Sequence, residues 1–323
     1  SLTAKGNSMI LSASRRTDIP AFYADWFLNR LREGSVLVRN PMNYHQVSEV
    51  KATPENVDCI VFWTKNPSLL LEKLPEIDDL GYRYYFQFTL NPYGKSIEEN
   101  LPDKSILVET FKRLSDQCGP EKVIWRYDPI FVGDEYPVDY HVEQFARLAN
   151  QLEGYTEKCI FSFLDPYAKI QKAIKQLGIE PPDLTAMRTI AQLFAEIASP
   201  KNIKLETCAE EIDLEKYGIS HARCIDGDLI EKIIGCPLNV GKDSSQRSIC
   251  GCVSSIDIGS FNTCAHGCKY CYANYGRQAV LKNQASHNPN SPLIFGELDE
   301  RDVVKPRKER DTRSLKQPQQ SLF

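Results

Sequence analysis

Cys59-Ile-Val-Phe-Trp-Thr64-Lys-Asn66-Pro67 is an unbroken run of apolar, aromatic and β-branched residues that halts on Lys-Asn-Pro. Such side chains favour extended chain. Having no polar alternation, the run suits a strand covered on both faces, as in a parallel sheet. Proline donates no ladder hydrogen bond and turns its predecessor away from helix, so Asn66-Pro67 marks the strand exit. The same theme recurs at 9–14, 36–39, 83–90, 123–127, 159–164 and 203–208, and four of these also end at Asn-Pro or Asp-Pro: Asn40-Pro41, Asn91-Pro92, Asp128-Pro129 and Asp165-Pro166. An eighth candidate is 252–258.

Between these runs lie stretches with apolar residues three and four apart, the period of a helix with one buried face. Asp18 and Pro20 begin one that carries Phe22, Trp26, Phe27 and Leu31 and stops near Gly34; others start at Ser105 or cover 138–153, 183–198 and 225–234. Eight strands alternating with helices predict an α/β fold, a (β/α)8 TIM-barrel-like unit over 9–280, with an open doubly wound sheet as the alternative. Residues 1–8 read as a leader outside the fold. The polar stretch 281–323 reads as a tail that packs loosely or is disordered.

The 323 residues carry 42% hydrophobic and 25% charged side chains with a net charge of −4, which counts against a broadly basic nucleic-acid binder. No secretory signal or membrane span stands out, which predicts a cytoplasmic protein whose eleven cysteines stay reduced. Clustered thiols then read as metal ligands rather than disulfides.

In parallel barrels the strand C-termini surround the active site. Here those ends carry Arg15, Arg16 and Asp18; Arg39; Lys65 and Asn66; Arg126 and Asp128; and Glu206, Cys208 and Glu210. Cations interspersed with carboxylates suit an anionic or zwitterionic ligand held by paired hydrogen bonds.

After the eighth run comes Cys264-Ala-His-Gly-Cys268-Lys-Tyr270-Cys271. Three thiols at spacings of four and three, with an aromatic before the last, suit a four-iron–four-sulfur cluster left one ligand short. A structural zinc site completed by His266 is the bland alternative. The wording CAHGCKYCYAN resembles the cluster loop of the radical S-adenosylmethionine (radical SAM) superfamily, and within it the branch of spore photoproduct lyase. The resemblance implies that Cys264, Cys268 and Cys271 hold a 4Fe–4S cluster with Tyr270 beside it. It also implies that SAM chelates the open iron and is cleaved to a 5′-deoxyadenosyl radical, and that an electron donor such as flavodoxin or ferredoxin is the partner. The substrate is left unspecified, with a nucleic-acid-related one among the options. In most of that superfamily the loop follows the first barrel strand, whereas here it follows the last, which in a closed barrel lies beside the first. SRRTDIPAFY and DIGSFNTCAHGCKYCYA together also resemble a bacterial family known as domain of unknown function 1848, over roughly residues 9–280.

Of the other cysteines, Cys59, Cys118 and Cys159 read as small buried hydrophobes. Cys208, Cys224, Cys250 and Cys252 are candidates for a second iron–sulfur cluster, with Cys236 as substitute ligand, or are ordinary thiols. The ending Gln319-Gln-Ser-Leu322-Phe323 resembles the peptide by which bacterial repair and replication proteins bind the sliding clamp. Two other classes compete with the radical SAM enzyme: an iron–sulfur sensor or electron-transfer protein that leaves SAM intact, and a barrel hydrolase with structural zinc.

Overall fold

A computed structural model describes residues 9–247 and 249–307. Its centre is a parallel sheet of eight strands: β1 (Met9–Ala13), β2 (Val57–Thr64), β3 (Tyr84–Thr89), β4 (Val123–Ile130), β5 (Lys158–Phe163), β6 (Lys204–Thr207), β7 (Ser220–His221) and β8 (Ile256–Asp257). The order across the sheet is β7-β6-β5-β4-β3-β2-β1-β8. Sequence neighbours are therefore spatial neighbours, and the last strand pairs with the first through Leu11–Ile256 and Ser12–Asp257. This order lacks the mid-sheet reversal of a doubly wound fold.

Both faces of the sheet are covered, as the unbroken apolar runs require. Along β2, Ile60 and Phe62 pack with the helices in one core cluster, while Cys59 and Val61 pack in a second with Ile10, Tyr85, Ile124 and Ile160. On the helical side Trp125 stacks on Phe145 at 4.9 Å and Phe145 on Phe194 at 3.8 Å between ring centroids, tying β4 to helices Val138–Leu152 and Leu184–Ala198. Cys59 and Cys159 are fully buried and Cys118 nearly so, as small hydrophobes.

Three expectations are corrected. The run 36–39 is not in the main sheet: Ser35–Asn40 forms an antiparallel hairpin with Asn43–Lys51, so Asn40-Pro41 leads into a turn. The partner strand escaped notice because it is one-sided, with only Val47 and Val50 buried. Its place in the sheet falls to β7, two residues long. Second, no ladder joins β7 to β8 among the described residues, so the sheet is open at one seam instead of closing as a (β/α)8 barrel. The first half of the expected strand 252–258 spends its backbone groups elsewhere: Asp243 N–H donates to Cys252 O, and Ser254 N–H to Gly241 O. One backbone bond, Val253 N–H to Ile225 O at 3.1 Å, spans the seam. Third, residues 281–307 are not a loose tail. Leu293 and Ile294 are buried, Trp26 Nε1 donates to Ser291 O at 2.9 Å, and Val303–Pro306 adds a strand to the hairpin. No helix among the described residues is long and apolar enough to cross a membrane.

One buried group sets a pH limit. His141 is fully buried between Tyr127 Oη (3.0 Å) and Phe131 O (2.7 Å), and burial lowers its pKa to about 4. Its ordinary value is about 6.5, so the unfolded chain takes up this proton first. The contribution is intact above pH 6.5 and is lost as pH falls toward 4, by about 3 kcal/mol in all. Urea unfolding of H141F alongside the wild type should show a shallower loss of stability from pH 6.5 to pH 4; parallel profiles would remove the assignment.

Candidate metal centre

The C-terminal strand ends surround a cavity of about 370 Å3, within the roughly 300–1,000 Å3 of small-molecule sites. Two groups of cysteines reach it, one from each side of the seam strand β8.

Asp18 builds the first side. It caps helix Ile19–Phe22 by accepting from Ala21 N–H at 3.0 Å through Oδ1, which also accepts from Thr64 Oγ1 at 2.7 Å. Its Oδ2 accepts from Lys65 N–H and lies 2.7 Å from His266 Nε2. One carboxylate thus joins the exits of β1 and β2 to the cysteine loop. His266 is buried against Phe22 and already committed to Asp18, which counts against it as a zinc ligand. Asp257 does the corresponding work for β8, accepting from Ser12 Oγ, Ser14 Oγ, Arg15 N–H and Gly259 N–H. The strands approach so closely that a Cβ on Gly259 would lie 2.0 Å from Ser14 Oγ.

The 264–271 loop is fastened to residues 97–100: Lys269 N–H donates to Ile97 O, Asn100 N–H to His266 O, and Glu98 bridges Cys268. Gly267 has φ +70°, and a Cβ there would meet Asn100 Nδ2 at 3.0 Å, so this turn calls for glycine. Cys264 and Cys271 line the cavity, and Cys268 is not among its lining residues. Desolvation raises the Cys264 and Cys271 thiols and pushes Cys268 up to about 12. Ala273 N–H points at Cys271 Sγ at 3.4 Å.

Beside Cys268 lies a buried charge network. Glu98, 1% exposed, pairs with Lys65 at 2.9 Å and with Lys104, and accepts from Tyr270 Oη. Burial opposes its ionisation, but the two lysines outweigh it and hold the carboxyl down to about 2. Lys65 Nζ also donates to Tyr270 Oη at 2.7 Å, which fixes that ring at the cavity wall.

On the other side Cys208 follows β6, Cys224 follows β7, and Cys250 and Cys252 precede β8; all four line the cavity. Cys208 Sγ is 3.3 Å from Cys224 Sγ. Arg126 Nη1 lies 3.0 Å from Cys224 Sγ, and its guanidinium pairs with Asp128. Arg15 and Arg126 flank Trp63, 5.1 and 5.4 Å from its ring.

Of the residues anticipated at the strand ends, Arg15, Arg16, Asp18, Lys65, Arg126, Asp128 and Tyr270 reach the cavity. Four do not. Arg39 belongs to the side hairpin, where it pairs with Asp302 and covers Tyr44. Asn66 accepts from Ser68 N–H at the start of the next helix. Glu206 points away from the mouth to Lys158 and Lys204, and Glu210 is tied to Phe163 N–H, with burial pushing its carboxyl up to about 7. Gln319, Leu322 and Phe323 lie outside the described residues. Sequence reasoning missed Glu98, Lys104 and Trp63; neither Glu98 nor Lys104 sits at a strand end, so position gave no signal.

Across residues 10–273 the chain matches the family described as Domain of unknown function (DUF1848). It belongs to that family. The DUF1848 match runs from β1 past Cys271, so it contains the whole sheet and both cysteine groups, while the side strand Val303–Pro306 lies beyond it. No curated protein matches the chain.

Replacing Glu98 of this DUF1848 protein by alanine leaves the partly buried Lys65 and Lys104 without their shared counter-charge. The expected loss is about 3–5 kcal/mol, read from urea unfolding of the metal-free protein. A change below about 1 kcal/mol would show that the network contributes no more than a surface pair.

Proposed function

We propose that this protein is an iron–sulfur enzyme of radical SAM type, with Cys264, Cys268 and Cys271 as the three ligands of a 4Fe–4S cluster. The observation that carries the reading is the seating of this loop. The loop lies at the C-terminal end of a parallel sheet, with Cys264 and Cys271 at the wall of a ligand-sized cavity and Tyr270 held in place there. The eighth strand, from which the loop departs, is paired with β1, in the manner of a barrel that begins one unit out of phase.

The donor set fits such a group better than a single ion. Zinc with bonds of about 2.3 Å to sulfur holds its thiolates roughly 3.8 Å apart. Among the described residues, the one set of three ligand atoms all within 4.8 Å of one another is His45, Asp299 and Asp302, and it contains no cysteine. Three sulfurs spread more widely than that leave room for a polynuclear cluster. Loading releases protons, because the surrounding protein favours the neutral thiols.

When bound, the cluster and SAM together supply a 5′-deoxyadenosyl radical able to take a hydrogen atom from a substrate. The chain's own residues bind and orient. Arg15, Arg16 and Arg126 give the cavity cationic walls for an anionic group on the ligand, and Arg16 is additionally steadied on Phe261. Tyr270, Trp63 and Tyr272 wall the cavity with aromatic surface that excludes water from the reacting centre. A cavity of this size favours an enzyme over a sensor or electron carrier, which needs no substrate chamber.

Anaerobic reconstitution followed by reduction in the presence of SAM tests the reading. The expected result is 5′-deoxyadenosine from the wild type and none from the C264A/C268A/C271A protein. A fully reduced, iron-loaded wild type that leaves SAM intact would overturn it in favour of the sensor.

A further inference from the structure

Four cysteines from three separate segments line the cavity at the open seam of the sheet. Cys224, Cys250 and Cys252 are 2%, 8% and 1% exposed, in a core otherwise made of aliphatic and aromatic side chains. We propose that Cys208, Cys224, Cys250 and Cys252 ligate a second iron–sulfur cluster, distinct from the one assigned to Cys264, Cys268 and Cys271.

The four sulfurs form one connected set: Cys208 with Cys224, Cys224 with Cys252, and Cys252 with Cys250. The backbone holds them there. Cys224 O accepts from Tyr85 Oη at 2.6 Å and from Gln87 Nε2 at 2.9 Å, both buried side chains of β3. Ile225 N–H donates to Cys252 Sγ at 3.3 Å, and Arg126 donates to Cys224 Sγ. Hydrogen bonds of this kind to sulfur tune bound clusters.

Charge points the same way. Four thiolates bring more negative charge than an iron–sulfur core cancels, and burying the excess requires nearby cations. Arg126 and Arg15 supply them, and Arg15 Nη2 is buried with no hydrogen-bond partner among the described residues. An orphaned guanidinium nitrogen in a largely apolar core is costly; beside a loaded anionic site it is compensated. Neighbouring sulfurs of the set come as close as 3.3 Å, but no three of them lie within 4.8 Å of one another, so a single tetrahedral ion does not reach all four where they stand. The site also falls on the open seam, with Cys224 just beyond β7 and Cys250 and Cys252 just before β8. A cluster there ties together the two strands that no ladder joins.

This assignment holds whether or not the 264–271 loop binds SAM, and metal analysis separates the two. Iron, acid-labile sulfide and zinc are measured per chain in anaerobically produced wild type, C264A/C268A/C271A, and C208A/C224A/C250A/C252A. The expected iron is about eight, four and four, matched by sulfide, with a 4Fe–4S Mössbauer doublet in both variants. The first variant leaves the buried tetrad untouched, so it remains informative if the second one misfolds. Absence of iron from C264A/C268A/C271A, or one zinc in its place, overturns the proposal. About four irons in the wild type, kept in C264A/C268A/C271A, would instead leave this proposal standing and remove the cluster from the radical SAM loop.

Discussion

One buried carboxylate ties the cysteine loop to the exits of two strands. Asp18 accepts from a helix N-terminus, a threonine hydroxyl and a strand-exit amide, and it faces the His266 ring between Cys264 and Cys268. A buried charge is tolerated when every lone pair has a partner, and here those partners come from three segments far apart in sequence. That hub ties the exits of β1 and β2 directly to the loop after β8, alongside the Lys65–Tyr270 and Tyr272–Arg15 hydrogen bonds. Asp257 repeats the device from the other direction, joining the loop's own strand to Ser12, Ser14 and Arg15.

Around these hubs, charge is arranged by side. Lys65 and Lys104 stand near Cys268 with Glu98 between them, and Arg15 and Arg126 stand near the cysteine tetrad with Asp128 and Asp257 behind. Each group of sulfurs has its own cations, each partly balanced by a carboxylate. Both guanidiniums, Arg15 and Arg126, lie over the Trp63 ring, which with them lines the cavity.

Much of this was legible in the sequence because burial on two faces leaves an unmistakable apolar run. β1 to β6 all answer to such runs, and Gly34, predicted to stop a helix, sits at its C-terminus with φ +69°. The strand exits announced Arg15, Lys65 and Arg126 for the same reason. Asn43–Lys51 was illegible because its polar face meets water, and β7 because two residues carry no pattern. Arg39 misled because its run looked like the others, while its hairpin turns it toward Asp302. Glu98 and Lys104 could not be found, since an ion pair between a turn and the first residue of a helix has no periodicity to detect.

The pairing of β1 with β8 has a consequence for biogenesis. Ser12 and Asp257 are 245 residues apart, so at ribosomal speeds of about 5–20 residues per second roughly 12–50 s separate their synthesis. During that interval the first strand waits with one edge unpaired, and Cys264, Cys268 and Cys271 have not yet been made. The three thiols of the loop therefore emerge only after all eight strands of the sheet have been synthesised.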